Sequence, residues 1–343
     1  PPPFFQAEDG IRDDISCLVG SEMCIRDRST PARSSLCEGR KRLGVEPLRQ
    51  LYAEVVRPLA TPETSGAFYR GMRLMGIDGT VLDVPDRDAN QVFGRSSGSR
   101  GDAPFPQIRK VSLVELGTHV ETAFVFGGWS DSEQKLVPRL WDSLPEDSLL
   151  IEDRGFFSYE SWKSLYLRYK LLVRVISSMT LKPFRRLSDD SYLAKIYANS
   201  YDRSKDRNGI VVRAIKYTID DPQRTGHREV HRLLTNLLDP VAFPAMELIP
   251  LYHERWEEEL AYDEQKTHQD PRRAEKPTHL RSETPAGIEQ ELYALSIGHF
   301  VVRAMMLETA SGAGLDADRL SFTGCFRILQ CRLSECDTSS VAS

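Results

Sequence analysis

Apolar positions along the chain recur with two different periods, and each change of period marks a new segment. Over residues 40–57, Leu43, Leu48, Leu51, Val55 and Val56 recur near helical spacing, which predicts an amphipathic helix. Pro58 and Pro62 end it, since proline removes a backbone donor and clashes with the preceding turn. Three strand-like runs follow at 73–84, 108–116 and 119–126, rich in β-branched and aromatic residues. The Gly, Pro and Asp between them predict antiparallel neighbours. Ser130-Asp-Ser-Glu133 reads as a capping box opening a helix through Trp141. A short buried strand (148–153), a helix (158–169) and another strand (171–176) come next. Three strands followed by alternating helix and strand predict an α/β fold, a mixed sheet covered by helices.

Between 180 and 245 the period returns to two. The runs 192–197, 210–219 and 229–238 alternate like strands, separated by polar turns such as Tyr201-Asp-Arg-Ser-Lys-Asp-Arg-Asn-Gly209, which predicts a β-rich insertion. Helical spacing resumes over 245–266, a basic, proline-bearing loop follows (270–285), and 286–310 predicts a long final helix.

Composition narrows the class. Of 343 residues, 40% are apolar and 28% charged, with 22 Gly and 20 Pro, the balance of a globular chain able to bury a core. Apolar runs such as Leu171-Leu-Val-Arg-Val-Ile176 are broken by charge well short of a membrane span, so no membrane partner is expected. With 45 basic and 50 acidic side chains the net charge is −5, which excludes a uniformly basic nucleic-acid coat but leaves room for local basic surfaces. The six cysteines (17, 24, 37, 325, 331, 336) sit at the two ends with no C-x-x-C pair. That spacing argues against a disulfide scaffold or zinc site and for a reducing cytosol. Residues 1–28 show neither period and lack the charged-then-apolar order of a signal peptide. They resemble translated sequencing-adapter read-through, which implies a non-native segment. Residues 331–343 form a patternless tail.

The densest chemistry lies in 248–266. Tyr252, Arg255, Glu259 and Lys266 stand at offsets 0, 3, 7 and 14. At about 100° per residue they fall within about 60° of one another on one helix face. A carboxylate flanked by Arg, Lys and Tyr suits a metal-assisted reaction on phosphate: the acid for the ion, the bases for phosphate oxygens, the phenol for a hydrogen bond. Taken alone, Arg255-Trp-Glu-Glu-Glu259 reads better as a solvated surface. Two more acids change the weighing. Asp153 closes the apolar run Leu149-Leu-Ile151, at a strand's C-terminal edge, where open sheets collect ligands. Asp78 follows Leu74-Met-Gly-Ile77 inside a strand-like run; Asp78-Gly79 also reads as a hairpin turn, and Asp83 and Asp86 compete with it. Three carboxylates from two strands and a helix can hold two divalent ions ~3.5–4 Å apart. Hard cations choose oxygen ligands, so Mg²⁺ is expected, with Mn²⁺ able to substitute.

Other groups read more plainly. His227 and His231 have metal-like spacing but no acid cluster nearby, and read as surface histidines. Lys182, Arg185 and Arg186, then Arg203, Lys205 and Arg207, then Arg272, Arg273, Lys276 and Arg281 could neutralise phosphates or simply solubilise loops. Trp129, Trp141, Trp162 and Trp256 read as core.

Tyr252-x2-Arg255-x3-Glu259-x6-Lys266 resembles the Y-R-E-K signature of DDE transposases of the insertion-sequence-four family. Further motifs agree in order: Ile77-Asp-Gly-Thr80, Val84-Pro-Asp86 and Asn90, Ile151-Glu-Asp-Arg-Gly-Phe156, Leu233-Leu-Thr-Asn-Leu-Leu-Asp239, Leu280-Arg-Ser282 and Gln290-Glu-Leu292. The likeness runs from about Arg42 to about Leu329, with Ser188-Asp-Asp-Ser191 where the family has Pro-Asp-Gly. It implies an RNase H-like mixed sheet interrupted by a β-rich insertion between the second Asp and the Glu. The implied parts are a helical remnant (29–70), a first core part (71–179), the insertion (180–245) and a second core part (246–330). Carried over, Asp78, Asp153 and Glu259 are the metal-binding catalytic triad, with Asp78 selected over Asp83 and Asp86. Tyr252, Arg255 and Lys266 would contact DNA phosphate. The implied activity is metal-dependent cleavage at transposon ends and strand transfer into target DNA, by a homodimer on double-stranded DNA, in the cytoplasm at the nucleoid. Two readings stand beside it: an inactive truncated remnant that at most binds DNA, and an RNase H-like nuclease without strand transfer.

Overall fold

A computed structural model describes residues 32–99, 101–218, 229–255, 261–269 and 278–332. The adapter-like segment and residues 333–343 of the tail lie outside the described residues, as do Glu259, Trp256, His227 and the bases Arg272, Arg273 and Lys276.

The expected α/β architecture is present: one large mixed sheet flanked by helices. Its strands are β1 (Met72–Asp83), β2 (Gln107–Glu115), β3 (Val120–Gly128), β4 (Ser148–Glu152), β5 (Lys170–Val175), β6 (Arg185–Arg186), β7 (Tyr192–Ile196), β8 (Ile210–Thr218) and β9 (Val230–Thr235). They lie in the order β3-β2-β1-β4-β5-β9-β8-β7-β6, with a two-residue strand, Phe68–Tyr69, also paired to β1. β1, β4 and β5 are parallel, and the other pairings are antiparallel. The first five strands have the order and directions of an RNase H sheet. The strands of the β-rich stretch extend this sheet through β9, which pairs with β5, rather than standing apart as a sheet of their own.

The parallel strands are apolar on both faces, as strands covered on both sides must be. On one face Met75, Ile77, Leu150, Leu171 and Val173 pack with Leu140, Trp162 and Leu165. Leu140 comes from the 3₁₀ turn Val137–Ser143 that continues a short helix, α3 (Glu133–Leu136), and Trp162 and Leu165 from α4 (Tyr159–Leu165). The other face carries Leu74, Leu149, Ile151, Leu172 and Leu233 under Leu248 and Tyr252 of α6 (Ala245–His253). Between α4 and α6 lies the one-turn α5 (Ser200–Ser204). The long α7 (Pro285–Ala313) covers Leu82, Val84 and Ile108, and α8 (Phe322–Arg332) packs on its far end.

Three helical expectations change. Residues 40–57 are not one helix: α1 (Arg33–Leu43) and α2 (Glu46–Val55) are separated at Gly44, whose φ of 71° favours glycine. The helix after Ser130 begins at Glu133, with no capping bond from the Ser132 side chain before it, and gives way to 3₁₀ at Val137, where Pro138 cannot donate. The stretch 245–266 is not one straight α-helix. α6 ends at His253, and Glu264–His268 is a π-turn. Adjacent Glu264 and Gln265 are both buried, and each finds its own partner. Glu264 takes His299 Nε2 at 2.9 Å and the Arg303 guanidinium on α7, while Gln265 Oε1 takes Lys110 Nζ of β2 at 2.8 Å.

The insertion is tied down by a buried ion pair. Arg213 of β8 is fully buried and bonded to Asp189, with its Nη1 also donating to the Phe243 carbonyl at 2.6 Å. Asp189 in turn accepts from the Ala245 amide at 2.9 Å, so the Ser188-Asp-Asp-Ser191 turn anchors the start of α6.

Candidate active site

Ile77 of β1 and Glu152 of β4 form the last parallel pair between these strands. Immediately past it the strands part, and the next residues are Asp78 and Asp153. Side chains alternate faces along a strand, so Leu74 and Asp78, like Leu149, Ile151 and Asp153, face α6. Two carboxylates thus stand side by side where the sheet opens. Asp78-Gly79 is not a hairpin turn: both residues lie mid-strand, paired with Ser112 and Val111 of β2. Asp78 Oδ1 accepts from the Gly79 amide at 2.8 Å. Tyr262 fixes the same spot, its hydroxyl donating to the Asp78 carbonyl at 2.6 Å. Asp83 and Asp86 are engaged away from this edge, Asp83 with Gln107 Nε2 at 2.9 Å and Asp86 with Gln91 Nε2 at 2.6 Å.

Asp153 is held by two groups. Tyr252 Oη donates to its Oδ1 at 3.1 Å, and Arg174 Nε of β5 approaches the same oxygen at 3.0 Å. Burial, then the Asp153 charge, drives the Tyr252 phenol well above the ordinary tyrosine range; the Arg255 guanidinium pulls the other way. Arg255 is itself buried at the end of α6. Behind Arg174, Tyr217 of β8 is pushed up to about 12, by burial first, with Arg174 lowering and Asp153 raising it. Tyr217 pairs across strands with His231 of β9, the rings 5.3 Å apart, and meets His253 of α6 edge-on at 5.8 Å. His231 is therefore not a surface histidine: its Nε2 is buried beside an aromatic ring because strand pairing turns it under α6.

Lys266 is brought to a different place. It lies over the Tyr262 ring at 5.7 Å and lines a cavity of about 280 Å³ with Thr80, Leu82, Lys110 and Gln265. Tyr252 and Arg255 thus gather at Asp153, while Lys266 stands within the π-turn, beside the Tyr262 that holds the Asp78 carbonyl. On the opposite face, Glu152 is enclosed among apolar side chains, and burial alone pushes its carboxyl up to about 8.

The sequence reading missed Arg174 and Tyr217. A signal existed for Arg174: an arginine inside the apolar run Leu171-Leu-Val-Arg-Val-Ile176 needs a buried partner. Tyr217 had none, being one tyrosine among twelve.

Among the described residues no three of His, Cys, Asp and Glu gather tightly enough to bind an ion by themselves. Asp78 and Asp153 nonetheless fit a hard divalent cation as two adjacent oxygen donors, one of which already bonds a guanidinium cation.

No family model matches the chain. It is similar to the transposase InsG for insertion sequence element IS4 of Escherichia coli (strain K12), 28% identical over 305 residues. The match covers 87% of this chain and 66% of InsG, so the chain spans just under two thirds of that relative. InsZ, a candidate transposase of the same organism, is 26% identical over 129 residues, 37% of this chain and 43% of InsZ. No helix among the described residues is long and apolar enough to cross a membrane.

Proposed function

We propose that this chain is the catalytic core of a DDE transposase, which cleaves DNA at transposon ends and joins the freed ends to target DNA. The observation that carries the reading is the placement of Asp78 and Asp153 as neighbours where β1 and β4 part, under α6 with Tyr252 on Asp153. The similarity to InsG along 87% of the chain supports a transposase.

In this reading Asp78, Asp153 and Glu259 hold two Mg²⁺ ions, or Mn²⁺ in their place. When bound, such ions supply activation of an attacking oxygen and stabilisation of the leaving one. The chain's own residues do the rest. Tyr252 orients the Asp153 carboxylate through its hydroxyl. Arg255 and Lys266, one at each end of the carboxylate row, hold the phosphates of the element end. Exposed Lys182, Arg185, Arg186, Arg203, Lys205 and Arg207 along the insertion give the DNA backbone a basic track, which makes binding salt-dependent. Double-stranded DNA is the partner, both as element end and as target, and pairing two ends calls for a homodimer. A cytoplasmic protein working at the nucleoid follows from that substrate.

The test is relaxation of supercoiled plasmid by residues 29–343 with Mn²⁺ at low salt, against Glu259→Gln. Nicking that needs metal and disappears in the variant supports a DDE site, and joining of a labelled end separates a transposase from a nuclease. A folded protein that neither nicks nor joins would mark the chain as an inactive remnant.

A further inference from the structure

Arg174 lies in a row with the two aspartates. β4 and β5 are parallel, with Glu152 opposite Val173, so the following residues, Asp153 and Arg174, are neighbours on the α6 face. Its Nε stands 3.0 Å from Asp153 Oδ1, the oxygen that also accepts from Tyr252. A guanidinium is a permanent cation, and here it meets the carboxylate oxygen that a metal ion would have to claim. The two side chains are only partly exposed, at 28% and 27%, so the charge pair is incompletely screened by solvent. An alternative acceptor is also close. The Tyr217 hydroxyl is buried, has no hydrogen-bond partner and lies within electrostatic influence of both Arg174 and Asp153.

We propose that Arg174 is a positioning residue that occupies the cation place at Asp153 in the metal-free protein and yields it when a divalent ion binds. This rests on the reading of Asp78 and Asp153 as metal ligands. Without ions, two carboxylates side by side would repel, and the guanidinium keeps them folded in place. Once released from Asp153, the same guanidinium stands at the sheet opening, where the substrate phosphate would sit. The price of this arrangement is competition: Arg174 opposes the ion both by holding the ligand oxygen and by its own charge.

Calorimetric titration of Mn²⁺ into the full chain tests this. Arg174→Gln removes the charge and is expected to bind Mn²⁺ about tenfold more tightly, the scale of one charge-assisted hydrogen bond. Arg174→Lys, which keeps the charge without the planar fork, is expected to fall between. Arg168→Gln, removing an exposed arginine paired with Glu146, should change nothing. Melting of each protein without metal shows that it is folded. Equal or weaker Mn²⁺ binding by folded Arg174→Gln overturns the proposal. Asp153→Asn separates the two ideas. If it binds Mn²⁺ like the native chain, or if neither the native chain nor Arg174→Gln binds it, the ligand assignment fails and the role of Arg174 with it. If Asp153→Asn loses binding while Arg174→Gln is unchanged, only the role of Arg174 fails.

Discussion

The phenol of Tyr252 donates to Oδ1 of Asp153 at 3.1 Å, joining α6 to the end of β4 across 99 positions of sequence. A residue of the helical signature and a residue at a strand edge are thereby one unit. Tyr252 is also 2% exposed, so its ring belongs to the core that seats α6 on the sheet. Replacement by Phe keeps the ring and deletes only the bond. Tyr252→Phe is expected to lose about 1.5–3 kcal/mol in urea unfolding, the worth of a hydrogen bond to a charged group. Tyr252→Ala should lose about 3–5 kcal/mol, because a cavity opens as well. A Tyr252→Phe protein as stable as the native chain would show that the bond contributes nothing.

Gly79 follows Asp78, and a Cβ there would fall 2.6 Å from Glu133 Oε1. That carboxylate accepts from Arg109 Nη1 at 3.1 Å, and the Arg109 guanidinium lies 5.0 Å from the centre of the Trp129 ring. Gly79→Ala must push Glu133 away and break its bond to Arg109, at about 0.5–1.5 kcal/mol. In Gly79→Ala/Glu133→Ala the clash has no source, so the glycine substitution should cost little in that background. A double-mutant cycle by denaturation measures the difference.

Glu152 predicts a loss of stability as pH rises. Its carboxyl titrates near 8 when folded, through burial, against 4.5 in the unfolded chain. Between those values the folded state keeps a proton that the unfolded state has released. Unfolding free energy should therefore fall with a slope of about 1.4 kcal/mol per pH unit across that window and level off above it. Glu152→Gln should remove this contribution to the slope. A pH series of urea midpoints that is identical for the two proteins would refute it.

His119 works in the opposite direction. Burial first, then the Arg303 charge, lowers its pKa to about 3 from 6.5, so the ring stays neutral when folded and its 3.5 Å approach to Asp318 is no ion pair at neutral pH. Below 6.5 the unfolded chain takes up a proton that the folded chain refuses until about 3. Stability should fall as pH drops through that range, again by about 1.4 kcal/mol per unit. His119 has a φ of 57°, which asparagine tolerates, so His119→Asn is the variant that should flatten the acid limb. Between 4.5 and 6.5 the Glu152 and His119 slopes cancel while their costs add, so the double variant should be more stable than the native chain by a constant amount there and show its difference in slope only outside that range.

Period and punctuation were enough to place the strands that build the sheet, because burial on a pleated surface leaves a local record every second residue. β1, β2 and β3 begin and end within two residues of the expected runs. The same record put Asp153 at a strand end. It could not decide between Asp78 as a turn and Asp78 as a strand residue, since a two-residue motif is compatible with both. That depended on β2 pairing along the whole of β1 while β4 stops at Glu152. The straight helical stripe from Tyr252 to Lys266 failed for a related reason. Within the π-turn, Glu264 and Gln265 bond partners on α7 and β2 that lie far away in sequence, and no local spacing encodes them. Arg174 and Tyr217 reach Asp153 only because β5, β9 and β8 are adjacent strands of one sheet. Local chemistry writes the pattern of elements into the chain. Which charges face each other follows from strand order and register, properties of the assembled sheet.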